Sequence, residues 1–344
     1  MHSQPATLNR ARMGSGLGMG LFGKARLPAY DRTQGNPHVL PGLRFLGERN
    51  WAALSELYSA QSPSDRFHFV QGLGEVSDML GDDMPMEADD PRVCAIIAGV
   101  RIGWAWRHRG GGRGNEVSRA GADNMRSCLM AAEAMLEGAS DRSPEDSTII
   151  GLRLRCEMGL GGDYNELTKQ TARLARSPEK NIFAVQCHVN FVAPKWHGSV
   201  DQMWAAANTY ASNPHNAAWV SIAARAHVEE WLYSYLFGDD PSLRHAYGVK
   251  LHDPAFRNFA GEIDKLFWLK HAEAPLVGSE AIVAHNNMAG FLVMVQAIDL
   301  SRAHFEAMGP YITEQPLAYF GWSDNPIEAL NNLRRRANLS PLKA

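Results

Sequence analysis

From about residue 50 onward, apolar residues recur at the spacing of a buried helix face, and this periodicity is the strongest restriction on the fold. One example is the stripe of Met203, Ala206, Ala207 and Tyr210, which follows the i, i+3, i+4, i+7 pattern. Such segments, each of roughly 12–20 residues, alternate with short loops that contain Gly, Pro or Asp. Strand-like alternation of apolar and polar residues never persists. The sequence therefore predicts an all-α protein.

Paired helices joined by short loops are typical of helical-repeat proteins. We predict an irregular α-solenoid, a tetratricopeptide-like array of helical hairpins that forms a single domain over residues 45–339. The strict tetratricopeptide repeat of about 34 residues does not fit, so divergent repeats are expected. The Gly-rich sequence GGGRGN at residues 110–115 indicates a soft boundary near residues 108–120.

The first 26 residues differ in composition from the rest of the chain. They contain Arg10, Arg12, Lys24 and Arg26, no acidic residue, and the Gly-rich run MGSGLGMGLFG. The apolar part of this run is too short to span a bilayer. We therefore expect residues 1–26 to form a disordered basic tail without stable membrane insertion.

Composition restricts the class of function. The chain has 344 residues, of which 45% are hydrophobic, and a formal net charge of −3, so no overall field favours nucleic acid. Its cysteines form no CxxC motif and no Cys–His pair at metal-ligand spacing, which argues against a zinc site. We expect reduced thiols in a cytoplasmic protein that uses no metal and no cofactor. The four cysteines are Cys94, Cys128, Cys156 and Cys187.

The stretch Asn190–Ser212 combines a loop, a helix start and an apolar helix face. Pro194 excludes helix, Gly198 allows a tight turn, and Ser199 with Gln202 forms a capping box. The loop carries an ammonium group, a large aromatic ring and a titratable ring in succession. These three residues are Lys195, Trp196 and His197.

The same loop resembles the signature of a bacterial family of uncharacterised, tetratricopeptide-like helical-repeat domains. That signature reads Pro-Lys-Trp-Gly-Gly-Ser and is followed by a Met-containing helix. The matching residues here are Pro194, Lys195, Trp196, Gly198, Ser199 and Met203, and His197 stands in place of the first glycine. The resemblance implies a helical-repeat fold from about Phe45 to Leu339, and it implies no particular activity.

The loop admits two interpretations. In the structural one, which we favour, Trp196 is a wedge between two helix layers and Lys195 carries its charge to solvent. In the functional one, a Trp beside a Lys on a tight loop binds a carboxylate or a peptide segment.

Further candidate residues lie on the long helix predicted after this loop. Trp219, His227 and Glu230 share one stripe of an otherwise apolar helix. In a functional interpretation, His227 and Glu230 form a general base pair or half of a metal site. The sequence HVEEW lacks the second histidine of the HExxH metal motif. The favoured structural interpretation is an i,i+4 ion pair between Arg225 and Glu229, with the histidine satisfied by a neighbour.

A third polar cluster, His285-Asn286-Asn287, enters another apolar helix. Asparagine on the concave face of a helical array is suited to gripping an extended peptide backbone. The leading hypothesis is a helical-repeat binding or scaffold protein, without catalysis, that recognises a protein or peptide in its concave surface. The candidate binding residues are Lys195, Trp196, His197, Trp219, His227, Glu230, Asn286 and Asn287.

An alternative of another class is a hydrolase or small-ligand-binding enzyme with a pocket beside Trp196. Its functional side chains are His197, His227, Glu229 and Glu230. A pocket that closes around these four side chains favours the enzyme, whereas an open groove favours the binding protein.

Overall fold

The computed structural model describes residues 30–77, 88–110, 114–212, 214–313, 316–320 and 325–342. The predicted N-terminal tail, residues 1–26, lies outside this part of the chain, as do residues 111–113 of the Gly-rich sequence. The all-α prediction is confirmed, since the described residues form fifteen α-helices and no strand.

The helices are α1 (Val39–Gly47), α2 (Trp51–Ser59), α3 (Pro63–Val76), α4 (Pro91–Arg109), α5 (Arg119–Arg142), α6 (Ser147–Leu160), α7 (Tyr164–Arg176), α8 (Ile182–Phe191), α9 (Val200–Ala211), α10 (Ala217–Trp231), α11 (Pro241–His252), α12 (Pro254–Glu273), α13 (Gly278–Met294), α14 (Ile298–Ala307) and α15 (Pro326–Arg336). A π-helical turn (Leu232–Leu236) continues α10, and short 3₁₀ turns occur at Gly114–Glu116 and Leu317–Tyr319.

Helices that are buried on nearly all sides alternate with helices that bury one stripe. α10 buries 13 of its 15 residues, whereas α7 buries three of its 13. The buried class also includes α4, α6, α8 and α13, and each is followed by a more exposed helix. A helix that is apolar all round must be covered on every side. The hairpins therefore stack into an inner and an outer layer.

α3 lies at the centre of the inner layer. Phe67 stacks on Phe183 of α8, with ring centroids 5.3 Å apart, and packs over Gly151 of α6. Gly74 lies directly against Gly103 of α4, so close that a Cβ on Gly103 would stand 2.8 Å from the Gly74 Cα. α3 thus contacts four of the buried helices, α4, α6, α8 and α13.

Segments far apart in the sequence are also joined through α3. The His68 ring on α3 hydrogen-bonds the Ser279 hydroxyl of α13 at 2.6 Å, across 211 positions. In a solenoid each repeat contacts only its neighbours. The solenoid part of the fold prediction is not confirmed, because this long-range contact closes the helical layers around α3. α4 and α5 pack along each other on either side of the predicted boundary near residues 108–120.

Local signals placed several helix starts correctly. The sequence predicts caps at Asn50, at Ser62 or Ser64, and at Ser199, and the side chains of Asn50, Ser62 and Ser199 cap α2, α3 and α9. The sequence predicts a helix from Pro214 to Phe237, but α10 begins at Ala217 behind an Asn216 cap. The predicted cap residue, Asn213, lies outside the described residues.

We expect the α3–α4 contact to be intolerant of even one added methyl group. Gly103→Ala should lower the free energy of unfolding by about 1–3 kcal/mol, because its Cβ meets backbone that cannot turn aside. Gly261→Ala in α12 is the matched control, since its Cβ would lie an ordinary 3.8 Å from Leu300. That change should raise stability by about 0.5–1 kcal/mol. Equal effects of the two changes in urea denaturation would contradict the close α3–α4 packing.

Candidate functional site

The loop between α8 and α9 is fixed by its own backbone. The Trp196 N–H donates to the Ala193 carbonyl at 2.9 Å, and a Cβ at Gly198 would collide with the carbonyl of Val192. The Ser199 hydroxyl then accepts the Gln202 N–H at 3.1 Å and starts α9. These contacts hold the three side chains of the loop in defined directions.

Lys195 points inward, to a carboxylate on α10. Its ammonium lies 2.5 Å from one oxygen of Glu229, and the Arg225 guanidinium lies 2.5 Å from the other. Glu229 is completely buried, whereas the Lys195 side chain is 22% exposed. The i,i+4 pair of Arg225 and Glu229 is confirmed, but the interpretation that Lys195 carries its charge to solvent is wrong.

Opposing effects act on the pKa values of this triad. Burial raises the pKa of the Glu229 carboxyl, but Lys195 and Arg225 more than offset it and hold that pKa below its usual range. Burial lowers the pKa of Lys195, although Glu229 counteracts the effect. Glu229 is therefore a structural anion that ties the loop to α10, and it is not available as a general base.

Trp196 points the other way, toward the end of α4. Its ring meets the Trp106 ring edge-on at a centroid distance of 5.5 Å, and the Arg109 guanidinium lies 5.4 Å from its centroid. Both indoles are half-buried. Trp196 thus bridges the loop and α4, as the wedge interpretation requires, while part of its ring still reaches solvent.

His197 is held in a third direction. Its Nε2 hydrogen-bonds the Met158 carbonyl at 2.8 Å, its ring packs against Phe191, and its own carbonyl accepts the Tyr164 hydroxyl. A donor to a carbonyl must carry its proton on Nε2. His197 therefore connects α6, α7 and α8.

His227 lies in an aromatic box. Its ring is stacked on Phe291 at 4.9 Å and lies edge-on to Trp204 at 4.5 Å, with Phe256 and Phe259 close by. Its Nδ1 is buried and has no hydrogen-bond partner among the described residues. Burial and the nearby Lys250 charge lower its pKa to about 3. The expectation that a neighbour satisfies this histidine is wrong for Nδ1.

Glu230 completes this second cluster. It accepts the Trp204 indole N–H at 3.2 Å and pairs with Lys250 of α11, whose ammonium lies 3.2 Å away. Lys250 also lies 5.0 Å from the centroid of the Phe256 ring. Glu230 and Lys250 thereby fasten α11 to α10.

The remaining candidates have structural partners. Trp219 packs edge-on to Tyr210 at 5.3 Å. Asn286 bonds the carbonyls of Ile282 and Tyr311, and Asn287 donates to the Ser221 hydroxyl at 3.3 Å. Both asparagines are fully buried, so neither faces a groove that an extended peptide could enter.

The enzyme alternative requires four side chains around one pocket, and the structure separates them. His197 faces Met158, Glu229 is held by Lys195, and His227 with Glu230 faces the Trp204 side of α10. Nothing in this arrangement supports a shared catalytic centre.

Sequence reasoning missed a buried chain of polar groups across α12, α13 and α14. His304 Nε2 lies 2.8 Å from Asp264, and His304 Nδ1 lies 2.9 Å from His285 Nδ1. A carboxylate only accepts, so His304 donates from Nε2 and accepts from His285. Of these three residues, the sequence indicated only His285, which lies inside an apolar helix. Asp264 and His304 lie on other helices, so no local pattern connects them with His285.

Burial disfavours the protonated form of five histidines among the described residues. It lowers the pKa of His68 and His188 to about 4, and that of His227 and His285 to about 3. It lowers the pKa of His304 as well. Glu133 acts in the opposite direction, because burial raises its pKa to about 7.

These histidines predict acid lability. Below about pH 6.5 these histidines bind protons in the unfolded chain but not in the folded one. The free energy of unfolding therefore falls, for each histidine, by up to about 1.4 kcal/mol per unit decrease in pH. Glu133 acts against this trend, and so do Asp146, Glu157 and Glu280, whose pKa values burial raises as well. His227→Phe should remove one histidine's share of the slope between pH 6.5 and 5, whereas the exposed His245→Gln should not. Urea denaturation at several pH values measures the slope, and a flat profile would refute the expectation.

We expect the fold to lose much of its stability when one member of the Lys195–Glu229–Arg225 triad is removed. Glu229→Gln leaves two cations without their shared anion and should cost roughly 3–5 kcal/mol. The exposed Glu262→Gln, whose partner is Lys265, should stay within about 0.5 kcal/mol of the wild type.

A double substitution sharpens this test. Lys195→Met combined with Glu229→Gln should recover part of the loss, because it removes the repulsion between the ammonium and Arg225. If Glu229→Gln alone costs no more than Glu262→Gln in urea denaturation, the triad does not stabilise the fold.

Exposed apolar side chains concentrate in one segment. Twelve large apolar side chains are exposed among the described residues, and eight of them lie between positions 233 and 269. We call these eight the α11–α12 surface: Tyr233, Tyr235, Phe237, Leu243, Val249, Phe259, Leu266 and Leu269.

The same segment contains an open cleft of about 820 Å³. Its lining comes from the π-helical turn and α11, and consists of Tyr235, Pro241, Arg244, His245, Gly248, Val249, His252 and Asp253. π-helical turns occur frequently at functional sites. No residue of the loop between α8 and α9 lines this cleft.

Searches of protein families, curated proteins and solved structures found no match to this chain. Among the described residues, no group of three or more His, Cys, Asp or Glu side chains is placed to hold a metal ion. No helix in the described ranges has the length and apolar character needed to cross a membrane. The functional conclusion therefore rests on geometry alone.

Proposed function

We propose that this is a cytoplasmic, non-catalytic binding protein that recognises a protein or peptide partner on the α11–α12 surface. The concentration of exposed apolar side chains between positions 233 and 269 carries the proposal, because exposed apolar surface on a folded domain marks interaction sites. The resemblance of the Lys195–Ser199 loop to helical-repeat domains without a known activity agrees with it.

The packing of α11 supports this choice of surface. Tyr247 is its only buried residue, and its hydroxyl donates to the His227 carbonyl at 3.1 Å. The Lys250–Glu230 ion pair is its other tie to α10. α11 also packs against the π-helical turn and α12, but Leu243 and Val249 remain exposed to solvent. Burying these two side chains against a partner would be favourable.

The cleft also defines the chemistry of the partner. Its volume falls in the range that holds a few side chains, and apolar atoms dominate its lining. Arg244 and Asp253 contribute one charge of each sign to this lining. We infer a partner segment that inserts apolar side chains into the cleft, as helix-in-groove ligands do.

Matched surface substitutions test the proposal. Val249→Asp and Leu269→Asp, at positions 60% and 57% exposed, should fold normally. The amount of partner that each variant captures should fall at least about ten-fold. Leu40→Asp, at 62% exposure on α1, should capture as much as the wild type. Cross-linked pull-downs from the native host, with mass spectrometry, measure the captured partner.

The same four proteins distinguish a foreign partner from self-association. Light scattering at micromolar concentration should show an unchanged mass for all of them. A partner captured equally by all four, or a dimer that Val249→Asp and Leu269→Asp abolish, would overturn the proposal.

A further inference from the structure

A buried cluster of charged side chains joins α7 to α5 and α6. Arg153 of α6 lies at its centre, and its Nη2 is 2.6 Å from Glu133 Oε1 of α5 and 2.7 Å from Glu166 Oε1 of α7. The Arg153 side chain is 4% exposed, and both carboxylates are mostly covered as well. Two carboxylates therefore converge on one nitrogen of a single guanidinium. We call Glu133, Arg153 and Glu166 the Arg153 cluster.

Negative charge exceeds positive charge in and around this cluster. In the described part of the chain, Arg153 is the one cation that pairs with Glu133. Glu157, one turn after Arg153 on α6, adds a third carboxylate whose charge acts on Glu133, as that of Glu166 does. Lys169 lies 3.7 Å from Glu166, but its side chain is half exposed, and water screens an exposed cation. Three carboxylates thus face one buried guanidinium.

Hydrogen bonding decides which of these carboxylates takes up a proton. Glu166 accepts the side-chain amide of Gln170 in addition to its contact with Arg153. Glu133 accepts from Arg153 through Oε1 alone, and its Oε2 is buried without a partner among the described residues. Such an oxygen is costly to bury when charged, and a proton removes the charge. Burial is the main effect that raises the pKa of Glu133, to about 7.

Other ionisable side chains near Glu133 do not balance this charge. Burial raises the pKa of the Cys156 thiol well above its ordinary value, so that group stays uncharged. Arg101 is the buried cation of α4, which packs along α5, but the dominant charge effects on Glu133 come from α6 and α7. Glu137, one turn along α5, is exposed to solvent. The proton on Glu133 therefore sets the charge of the cluster near neutral pH.

α7 is the helix whose docking depends on this cluster. It buries only three of its 13 residues, and a helix with so few buried contacts opens at a low free energy. Undocking α7 would carry Glu166 away and admit water, so the pKa of Glu133 would return toward its ordinary 4.5. A proton that binds more tightly to the docked state favours docking, and this contribution is lost as the pH rises through about 7.

We propose that the Arg153 cluster is a one-proton lock, which holds α7 against α5 and α6 while Glu133 is protonated and loosens α7 when Glu133 releases that proton. With the proton in place, the guanidinium faces one charged carboxylate of the cluster, that of Glu166. Without the proton, two buried carboxylates compete for it. α7 also supports the loop between α8 and α9, because the Tyr164 hydroxyl donates to the His197 carbonyl. The lock does not depend on the function proposed for the α11–α12 surface.

Amide hydrogen exchange at pH 6, 7 and 8 tests the lock. Protection factors, which correct each rate for the intrinsic pH dependence of exchange, are measured for the α7 amides of the full chain. A pKa of Glu133 that changes from 4.5 to about 7 on docking predicts about a ten-fold loss of α7 protection between pH 6 and 8. α15, which packs on α14, is the internal reference and should keep its protection.

Carboxylate substitutions provide the controls. Glu133→Gln keeps an oxygen for Arg153 but cannot ionise, so α7 protection should be equal at pH 6 and 8. Glu137→Gln, at an exposed position on the same helix, should lose α7 protection with pH as the wild type does.

A second measurement needs no variant and remains decisive if Glu133→Gln does not fold. The ¹³C signal of the Glu133 carboxyl, assigned through the backbone of the labelled wild type, should titrate at about pH 7. The α7 protection of the wild type should fall with the same midpoint.

Three results would overturn the proposal. One is a Glu133 carboxyl that titrates near its ordinary 4.5. Another is α7 protection that stays constant in the wild type from pH 6 to 8. The third is an equal loss of α7 protection in the wild type and in Glu133→Gln, which would mean that another group controls the docking of α7.

Discussion

The close approach of α3 to its neighbours is the constraint on which the remaining packing depends. Gly74 and Gly103 lie backbone to backbone, and Gly99 and Gly151 leave space for Val70 and Phe67 of α3. Without side chains at these glycines, helices approach closely and gain many weak dispersion contacts. α4, α6, α8 and α13 can therefore all contact one central helix. That arrangement turns a row of hairpins into layers around a core.

Buried polar groups give this apolar core its specificity. The Lys195–Glu229–Arg225 triad joins a loop to α10, and the chain of Asp264, His304 and His285 joins three helices. Each group is satisfied only when the helices adopt one relative position, because hydrogen bonds are directional. Such groups add little net stability over apolar packing, but a shifted arrangement would leave them unpaired.

α10 connects the loop that carries Trp196 with the α11–α12 surface. Its Arg225 and Glu229 side supports Lys195 and the loop that carries Trp196. Its other side holds α11 through Glu230, and its C-terminal end becomes the π-helical turn of the cleft. The helix is itself buried, so it serves both as a rigid support.

Sequence alone determined the helical class, several helix starts and the Arg225–Glu229 pair, because periodicity, caps and i,i+4 pairs involve residues close together in the chain. It did not determine that α3 fills the centre or that Lys195 meets Glu229. Nor did it reveal that His68 meets Ser279, 211 positions away. Such contacts depend on how helices pack, and similar apolar stripes allow many packings. Only the tertiary structure selected one of them, through the space left by glycines and the pairing of buried charges.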